Sequence, residues 1–582
     1  MKSDDEILAD SLPEQFSFND EWYNFRSIPP IGKVWLDVPN TALSTANIGP
    51  VDSLRQLERH VDKRVAWRYD YADPFLAKKV NVLMEVDEKS FAEGKHGSSH
   101  PISWFQEYEG GRSFYTSLGH RIESYSNPLF LKHLANGIQY AIGNEPLDYS
   151  KAKTKRIPPE NRFVRTTLAS NLNEPTELEI LPDGRIIFLE RRGAMKMYDP
   201  IADTLTTILQ MPVYDNNEEG FLGVALDPNW EENHWVYLFF SLMEGGRRNR
   251  LSRFVFDGKM VQASSEIMML EVPEIDGCCH TGGSIEFDSK GNLFLSTGDN
   301  TNPFESDGFS PSDERPGRQL WDAQRSAGNT NDLRGKILRI TPQTDGSYTI
   351  PDGNLFPEGT PNTRPEIFVM GCRNPYRIAI DRQTDCLFWG DVGPDAGKDG
   401  PTRGPKGHDT FNRTCGPANA GWPYVRGNHV YQDYNFATKI SGKHHDPDHL
   451  INDSPNNTGL RELPPVQPPL IWYSYDESTE FPWMATGGKN PMAGPIFHAA
   501  DFAEGVPVFP DYFEGKFFAY EWMRDWIYII SLDDETAIMY RLTHFYQTKN
   551  LITRWIWHLG QTALCISWNT ASLGSRKTSM PV

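Results

Sequence analysis

CCHTGGSIEFDSKGNLFLSTGDN, residues 278–300, decides how this chain is read. SIEFD and NLFLSTGD are apolar, β-rich runs joined by Asp288-Ser289-Lys290-Gly291, which is hairpin chemistry with a glycine where a positive φ is needed. Ahead of the hairpin, Cys278, Cys279 and His280 precede Gly282-Gly283, so an imidazole stands at the mouth of a strand on compliant backbone. The ordinary role of such a histidine is a hydrogen-bonded turn; the alternative is a base carried by a loop on a rigid scaffold.

Outward from this stretch the same form recurs. TELEILPDGRIIFLERRG, FLGVALDPNW with HWVYLFFSL, IAIDRQTDCLFWGDVG and GKFFAYEWMRDWIYIISL each read as strand, turn, strand at blade-like periods, and long helical patterns are nearly absent. A radial propeller removes the exposed edges that so many short antiparallel strands would otherwise present. A sandwich is the alternative, but about 380 residues is too much chain for one.

The bulk numbers bound the rest. The 582 residues are too many for one core, so two or three domains are expected. Seventy-eight acidic residues against 57 basic ones give a net charge of −21, which argues against nucleic acid and anionic membrane surfaces as partners. No apolar run approaches the roughly 20 residues that span a bilayer, so no membrane insertion is expected. Residues 1–10, MKSDDEILAD, are acidic and polar and do not read as a secretory signal; either the protein is cytoplasmic or its true start is missing. Six cysteines are too few for a disulfide scaffold, none has zinc-finger spacing, and Cys278 and Cys279 read as reduced thiols in preference to a vicinal disulfide.

The first part of the chain reads differently. DEWYNF (20–25) is an aromatic cluster, KVNVLMEVDE (79–88) alternates as a buried strand, GGRSFYTSLGH (110–120) is turn, strand and loop, and PLFLKHLANGIQYAIG (128–143) has helical spacing closed by glycine. Together with HPISW (100–104), these segments resemble the C-terminal half of the ThuA-like family, an α/β fold of flavodoxin or glutamine-amidotransferase type linked to sugar utilisation. The predicted domain covers 15–146, without the opening βαβ units and with an unexplained insertion at 31–77. No cysteine precedes Cys278, so a thiol nucleophile is excluded there. His100, His120 and Glu123 are polar enough for a site, but a structural or sugar-binding remnant is the favoured reading. LDYSKAKTKRIPPEN (147–161) is the linker.

Six ordered motifs, EEGFLGVALDPNW (218–230), HTGGSIEFDSKGNLFLSTGD (280–299), LRGKILRI (333–340), RNPYRIAID (373–381), GDVGP (390–394) and NAGWPY (419–424), resemble the glucose/sorbosone dehydrogenase family. That resemblance implies a six-bladed all-β propeller over 162–538, using pyrroloquinoline quinone and calcium to oxidise a sugar, with an unidentified electron acceptor as second partner. It implies that His280 is the base that takes the proton from the sugar's anomeric hydroxyl, a task suited to imidazole. It places Arg373 and Asn374 on the quinone, where a guanidinium fork can hold a carboxylate or carbonyl edge. Arg524, in EWMRDW, falls near a further cofactor-binding position, and the carbonyls of Gly393 and Pro394 correspond to calcium ligands. Glu218 stands where glucose-oxidising members place a substrate-binding glutamine. Cys279 takes the place of an aspartate that orients the histidine, and Thr410 the place of an acidic residue. Family members act outside the cytoplasm, so a periplasmic or extracellular protein is implied.

From 539 to 582 the text loses both alternation and Asp-Gly turns. Codons permitted for His544 to Lys577, read one frame over, can spell strand, turn and strand, so this tail reads as out of frame and the last blade as incomplete. Two other readings of the propeller stay open: a non-catalytic carbohydrate- or partner-binding module, and a calcium-dependent lactonase-like hydrolase. The latter needs side-chain carboxylates converging on the metal, for which the GDVGP carbonyls are a poorer fit.

Overall fold

The second strand of the hairpin that opens the sequence reading is buried on both faces, and the computed structural model shows why. Leu293 and Leu295 point into a core shared with Leu222, Tyr237, Phe239 and Leu251, while Phe294 between them packs with Ile337, Phe368, Ile378 and Trp389. One strand thus feeds two cores, and each buried Leu or Phe contributes about 1.5–3 kcal/mol relative to exposure. That is the physical reason runs such as IIFLE (186–190) and CLFWGD (386–391) are buried at every position instead of alternating.

The structure describes residues 31–34, 80–90, 100–108, 111–143, 167–243, 247–274, 279–502 and 508–532, and the backbone of the strands at 539–547, 558–559 and 565–566. It divides into two compact units, residues 1–159 and 160–582. Among the described residues the fold is mostly β, with few helices.

In the first unit, Ile31–Val34 pairs parallel with Val80–Glu85, which continues antiparallel into Pro101–Tyr108 and Gly111–Thr116. The stretch 31–77 opens with a strand of this sheet. The helix Pro128–Ile142 packs on the last strand. Asn127 caps it, its Oδ1 accepting from Leu129 N at 2.9 Å, and Gly137 leaves room for the Phe114 ring, which a Cβ would strike. His100 is buried whereas His120 and Glu123 are exposed, so one face does not collect them. DEWYNF and the linker 147–161 lie outside the described residues.

The second unit holds five larger sheets: four are antiparallel with four strands each, and the third has six, in which Ile367–Met370 pairs parallel with Ala418–Asn419. The first strands of the five sheets are Pro175–Ile180, Phe221–Leu226, Gly282–Phe287, Arg377–Asp381 and Pro491–Phe497, and each packs beside the next. They also converge: Glu177 Oε2 lies 3.4 Å from Ser284 Oγ of the third sheet and 3.5 Å from Arg377 Nε of the fourth. Burial raises the Glu177 carboxyl to about 7 against the pull of Arg377. Met539–Gln547, at the start of the stretch read as out of frame, is the fourth strand of the fifth sheet, paired with Trp526–Leu532. His558–Leu559 pairs with Cys565–Ile566 and touches the first strands of the first and fifth sheets.

The cysteines also differ from expectation. Cys279 is disulfide-bonded, not a free thiol, and Cys386 is bonded to Cys415. The second bond follows from register: Leu387 faces Thr414 in the fourth sheet, which brings the residues just before and after them together. Cys372 is buried and free.

The fourth and fifth sheets are joined by His498, whose Nε2 meets Asp381 at 2.8 Å and whose Nδ1 meets Glu514 at 2.9 Å. Burial alone would lower this imidazole, but the two carboxylates hold it up at about 9. A raised folded-state pKa gives stability that is complete below the unfolded value near 6.5 and lost as pH rises through 9. The stability difference between wild type and His498→Gln, from urea midpoints, should therefore shrink by about 1–2 kcal/mol between pH 6 and pH 10, allowing for solvent screening. A difference that stays constant over that range would remove His498 from the seam.

Candidate functional site

His280 sits two residues before the first strand of the third sheet, and the local sequence forces it into a special turn. Cys279 and His280 both have positive φ, at 84° and 64°, and Gly298 opposite leaves the space that a Cβ would take from the His280 carbonyl, at 1.8 Å. In the hairpin Gly282 faces Thr297, so continuing the ladder two residues outward brings Asp299 opposite His280. His280 Nδ1 is 2.7 Å from Asp299 Oδ1.

Asp299 is fully buried and saturated. It accepts from Trp422 Nε1 at 2.8 Å on its other oxygen and from Thr301 N at 3.0 Å. Burial alone would raise its carboxyl, but His280, Arg373 and the Trp422 N–H outweigh it and hold it below the usual carboxylate range. An ionised carboxylate on Nδ1 fixes the tautomer in which Nδ1 carries the proton. Nε2 is left as the lone-pair nitrogen, with no hydrogen-bond partner among the described residues. The orienting group is therefore Asp299, not a residue at position 279.

Three of the sequence-predicted residues gather around this imidazole. Glu218 Oε2 accepts from His280 N at 2.7 Å and from Asn374 Nδ2 at 3.4 Å, and Asn374 Oδ1 accepts from Gly282 N at 3.1 Å. Arg373 is next in the chain, its side chain only 4% exposed. The Arg373 guanidinium makes one hydrogen bond at 3.3 Å, to Val392 O, and stands 3.5 Å from Asp395 and 6.0 Å from the Trp422 ring. Both backbone N–H groups of the pair are held by Asp391, at 3.2 and 2.8 Å, and Asp391 in turn accepts from Arg426 Nη1 at 2.6 Å.

The turn after Asp391 carries Gly393 and Pro394. Gly393 N donates to Asp409 Oδ1 at 2.9 Å, while the Pro394 carbonyl accepts from Lys489 Nζ at 2.8 Å. Lys489 is also 3.0 Å from Asp409 and lies over the Tyr475 ring at 4.4 Å. Burial pushes Asp409 up and Lys489 down, and each offsets part of the other's shift. Thr410 is buried and its hydroxyl accepts from Asn412; the acidic group of this segment is its neighbour, Asp409.

Arg524 does not join them. All five of its N–H donors go to backbone carbonyls, those of Ser474, Met484, Ala485, Gly487 and Gly488, so it acts as a clamp on the loop before the fifth sheet. Sequence reading missed Asp299, Asp391, Asp409, Trp422, Arg426 and Lys489. Asp299 was within reach of it, because the hairpin register alone pairs 280 with 299; Lys489, in GGKNP, carries no local signal.

Residues 172–461 match the glucose/sorbosone dehydrogenase family and residues 52–141 match the trehalose utilisation family. The second match begins inside the stretch 31–77. Aldose sugar dehydrogenase YliI of Escherichia coli (strain K12) is 27% identical over 263 residues, which is 44% of this chain and 60% of that protein. Hedgehog-interacting protein of Homo sapiens is 25% identical over 258 residues, 40% of this chain and 34% of that protein. The chain thus spans less than two thirds of the length of these relatives. Among solved structures, the PQQ-bound form of aldose sugar dehydrogenase from Streptomyces coelicolor is 22% identical with a TM-score of 0.42, covering 66% of this chain and 84% of that one.

Removing Asp299 strands three buried donors at once. Asp299→Ala should cost about 2–4 kcal/mol of stability in urea. It should also speed hydrogen exchange at the Trp422 indole N–H, assigned by its loss in Trp422→Phe, by at least about tenfold. An unchanged indole exchange rate would show that Asp299 does not hold this corner.

Proposed function

Residues 172–461 belong to the glucose/sorbosone dehydrogenase family, and from that premise we propose that this chain is a carbohydrate oxidoreductase built on a six-bladed propeller, with the five sheets as blades and residues 539–582 contributing toward the sixth. The observation that carries the reading is the His280–Asp299 pair, with Glu218 on the His280 backbone N–H and Asn374 bridging Glu218 and Gly282 beside it.

The donor set suits pyrroloquinoline quinone, a flat polyanion. Arg373 spends little of its guanidinium on the protein, so its fork can meet a carboxylate while Asn374 offers an amide at the edge. When bound, such a quinone accepts a hydride. Calcium does not fit the Gly393–Pro394 turn as it stands, because Lys489 occupies the Pro394 carbonyl, and no step is assigned to it.

His280 Nε2 takes the proton of the sugar's anomeric hydroxyl as hydride leaves the carbon. The imidazolium formed is stabilised by Asp299 across 2.7 Å, in surroundings that exclude water. Glu218 stands beside the base and can accept from a further sugar hydroxyl. The second partner is an electron acceptor that reoxidises the cofactor. Two cysteines locked as Cys386–Cys415 and a third bonded at Cys279 support a periplasmic or extracellular setting. A non-catalytic carbohydrate- or partner-binding propeller is the second reading, favoured by the similarity to Hedgehog-interacting protein.

The full chain is titrated with pyrroloquinoline quinone, followed by its absorbance, and then offered a panel of aldoses. Saturable binding and bleaching by a sugar are expected, and His280→Ala should slow bleaching by about 10²–10⁴-fold while sparing binding. Binding without bleaching by any aldose, or none at all, favours the second reading.

A further inference from the structure

Lys489 sits where the sequence led us to expect a metal. Its ammonium has three occupied directions: the Pro394 carbonyl at 2.8 Å, Asp409 Oδ1 at 3.0 Å and the Tyr475 ring at 4.4 Å. The side chain is 2% exposed and that of Asp409 is fully buried. Asp409 Oδ1 also receives Gly393 N, so a single carboxylate ties the turn's backbone to the ammonium, while its Oδ2 is buried without a partner.

The surrounding backbone is shaped to this contact. A Cβ on Gly407 would strike the Pro394 oxygen at 1.7 Å and approach Lys489 Nζ at 3.1 Å, so glycine is what lets the ammonium reach the carbonyl. The oxygens in place number few: one carbonyl and one carboxylate, where a calcium ion takes six to eight. Among the described residues no group of three or more His, Cys, Asp or Glu side chains converges as a metal site. A divalent ion on the Pro394 carbonyl would lie within a few ångströms of the ammonium, in a buried place where like charges repel strongly.

We propose that Lys489 is the resident cation of the Gly393–Pro394 turn, and that the pocket takes its anionic cofactor without a divalent metal. The second clause rests on the quinone reading above; the first does not. Lys489 fixes the turn from inside, as a metal would, and leaves Asp409 neutralised whether or not a cofactor is bound.

The test begins with the full chain free of quinone, using terbium luminescence with calcium as competitor. Wild type should give no calcium-competed signal that depends on Asp409, that is, none lost in Asp409→Asn. Lys489→Ala, which leaves two carboxylate oxygens and a carbonyl around a vacated space, should gain one, and Lys489→Ala with Asp409→Asn should lose it again. An Asp409-dependent signal in wild type, or no gain in Lys489→Ala, overturns the proposal. Should Lys489→Ala fail to fold, wild type decides alone. Its thermal midpoint should not respond to calcium, and a calcium-induced rise that Asp409→Asn abolishes overturns the inference. Quinone affinity is then compared in EGTA and in calcium. Equal affinities support the second clause, and a loosening in EGTA of about tenfold or more overturns it. Absence of binding in both buffers fails the quinone reading and, with it, the second clause, while the terbium result still decides the first.

Discussion

The buried contact between Asp391 and Arg426 is the interaction on which the site depends. The carboxylate is fully buried and the guanidinium 1% exposed, and together they collect the turn that carries Arg373 and Asn374, the strand end at 391 and the His408 carbonyl. A charge pair in such a place adds little net stability over a well-packed apolar pair, but losing one partner costs about 3–5 kcal/mol. Its effect is therefore geometric. The backbone N–H groups of Arg373 and Asn374 are pinned, Asn374 can reach Glu218 and Gly282, and the Arg373 guanidinium is left with few protein partners. Arg373, Asn374 and Arg426 are all positioned from this one carboxylate.

How much of this was legible in the sequence depended on the range of the interaction. Hairpins were legible because apolar strands and Asp-Gly turns are local: the strands at 282–287 and 293–297 lie where the text puts them. His280, Glu218, Arg373 and Asn374 were legible as motif positions, and they do come together. The partner of His280 was sought in the adjacent residue, Cys279, although antiparallel pairing places it across the hairpin at Asp299. Lys489 and Arg426 were illegible for a plainer reason. They reach the site from 95 and 35 residues beyond their partners, with no sequence pattern marking the approach. Arg524 shows the converse, a cation at a plausible position whose donors are all consumed by its own loop.

The site also runs against the charge of the whole. A chain of net charge −21 repels an anionic ligand at long range, yet Arg373, Arg426 and Lys489 sit within one corner of it. Arg426 and Lys489 are neutralised by the buried carboxylates Asp391 and Asp409, whereas Arg373 meets only a partly exposed Asp395 at 3.5 Å. The cation of this corner least paired by protein carboxylates is therefore a single guanidinium, that of Arg373.

The Cys386–Cys415 bond encloses a segment of chain, with a separation of 29 residues, that contains Asp391, Gly393, Pro394, His408 and Asp409. Closing a ring of that size removes conformational entropy from the unfolded chain equivalent to about 3–4 kcal/mol. The segment from 386 to 415 is thus a tethered loop even when its sheet is open, so its ends need not find each other on refolding. In a reducing compartment the same segment loses its tether, and recognition is compromised before the cores between the sheets are.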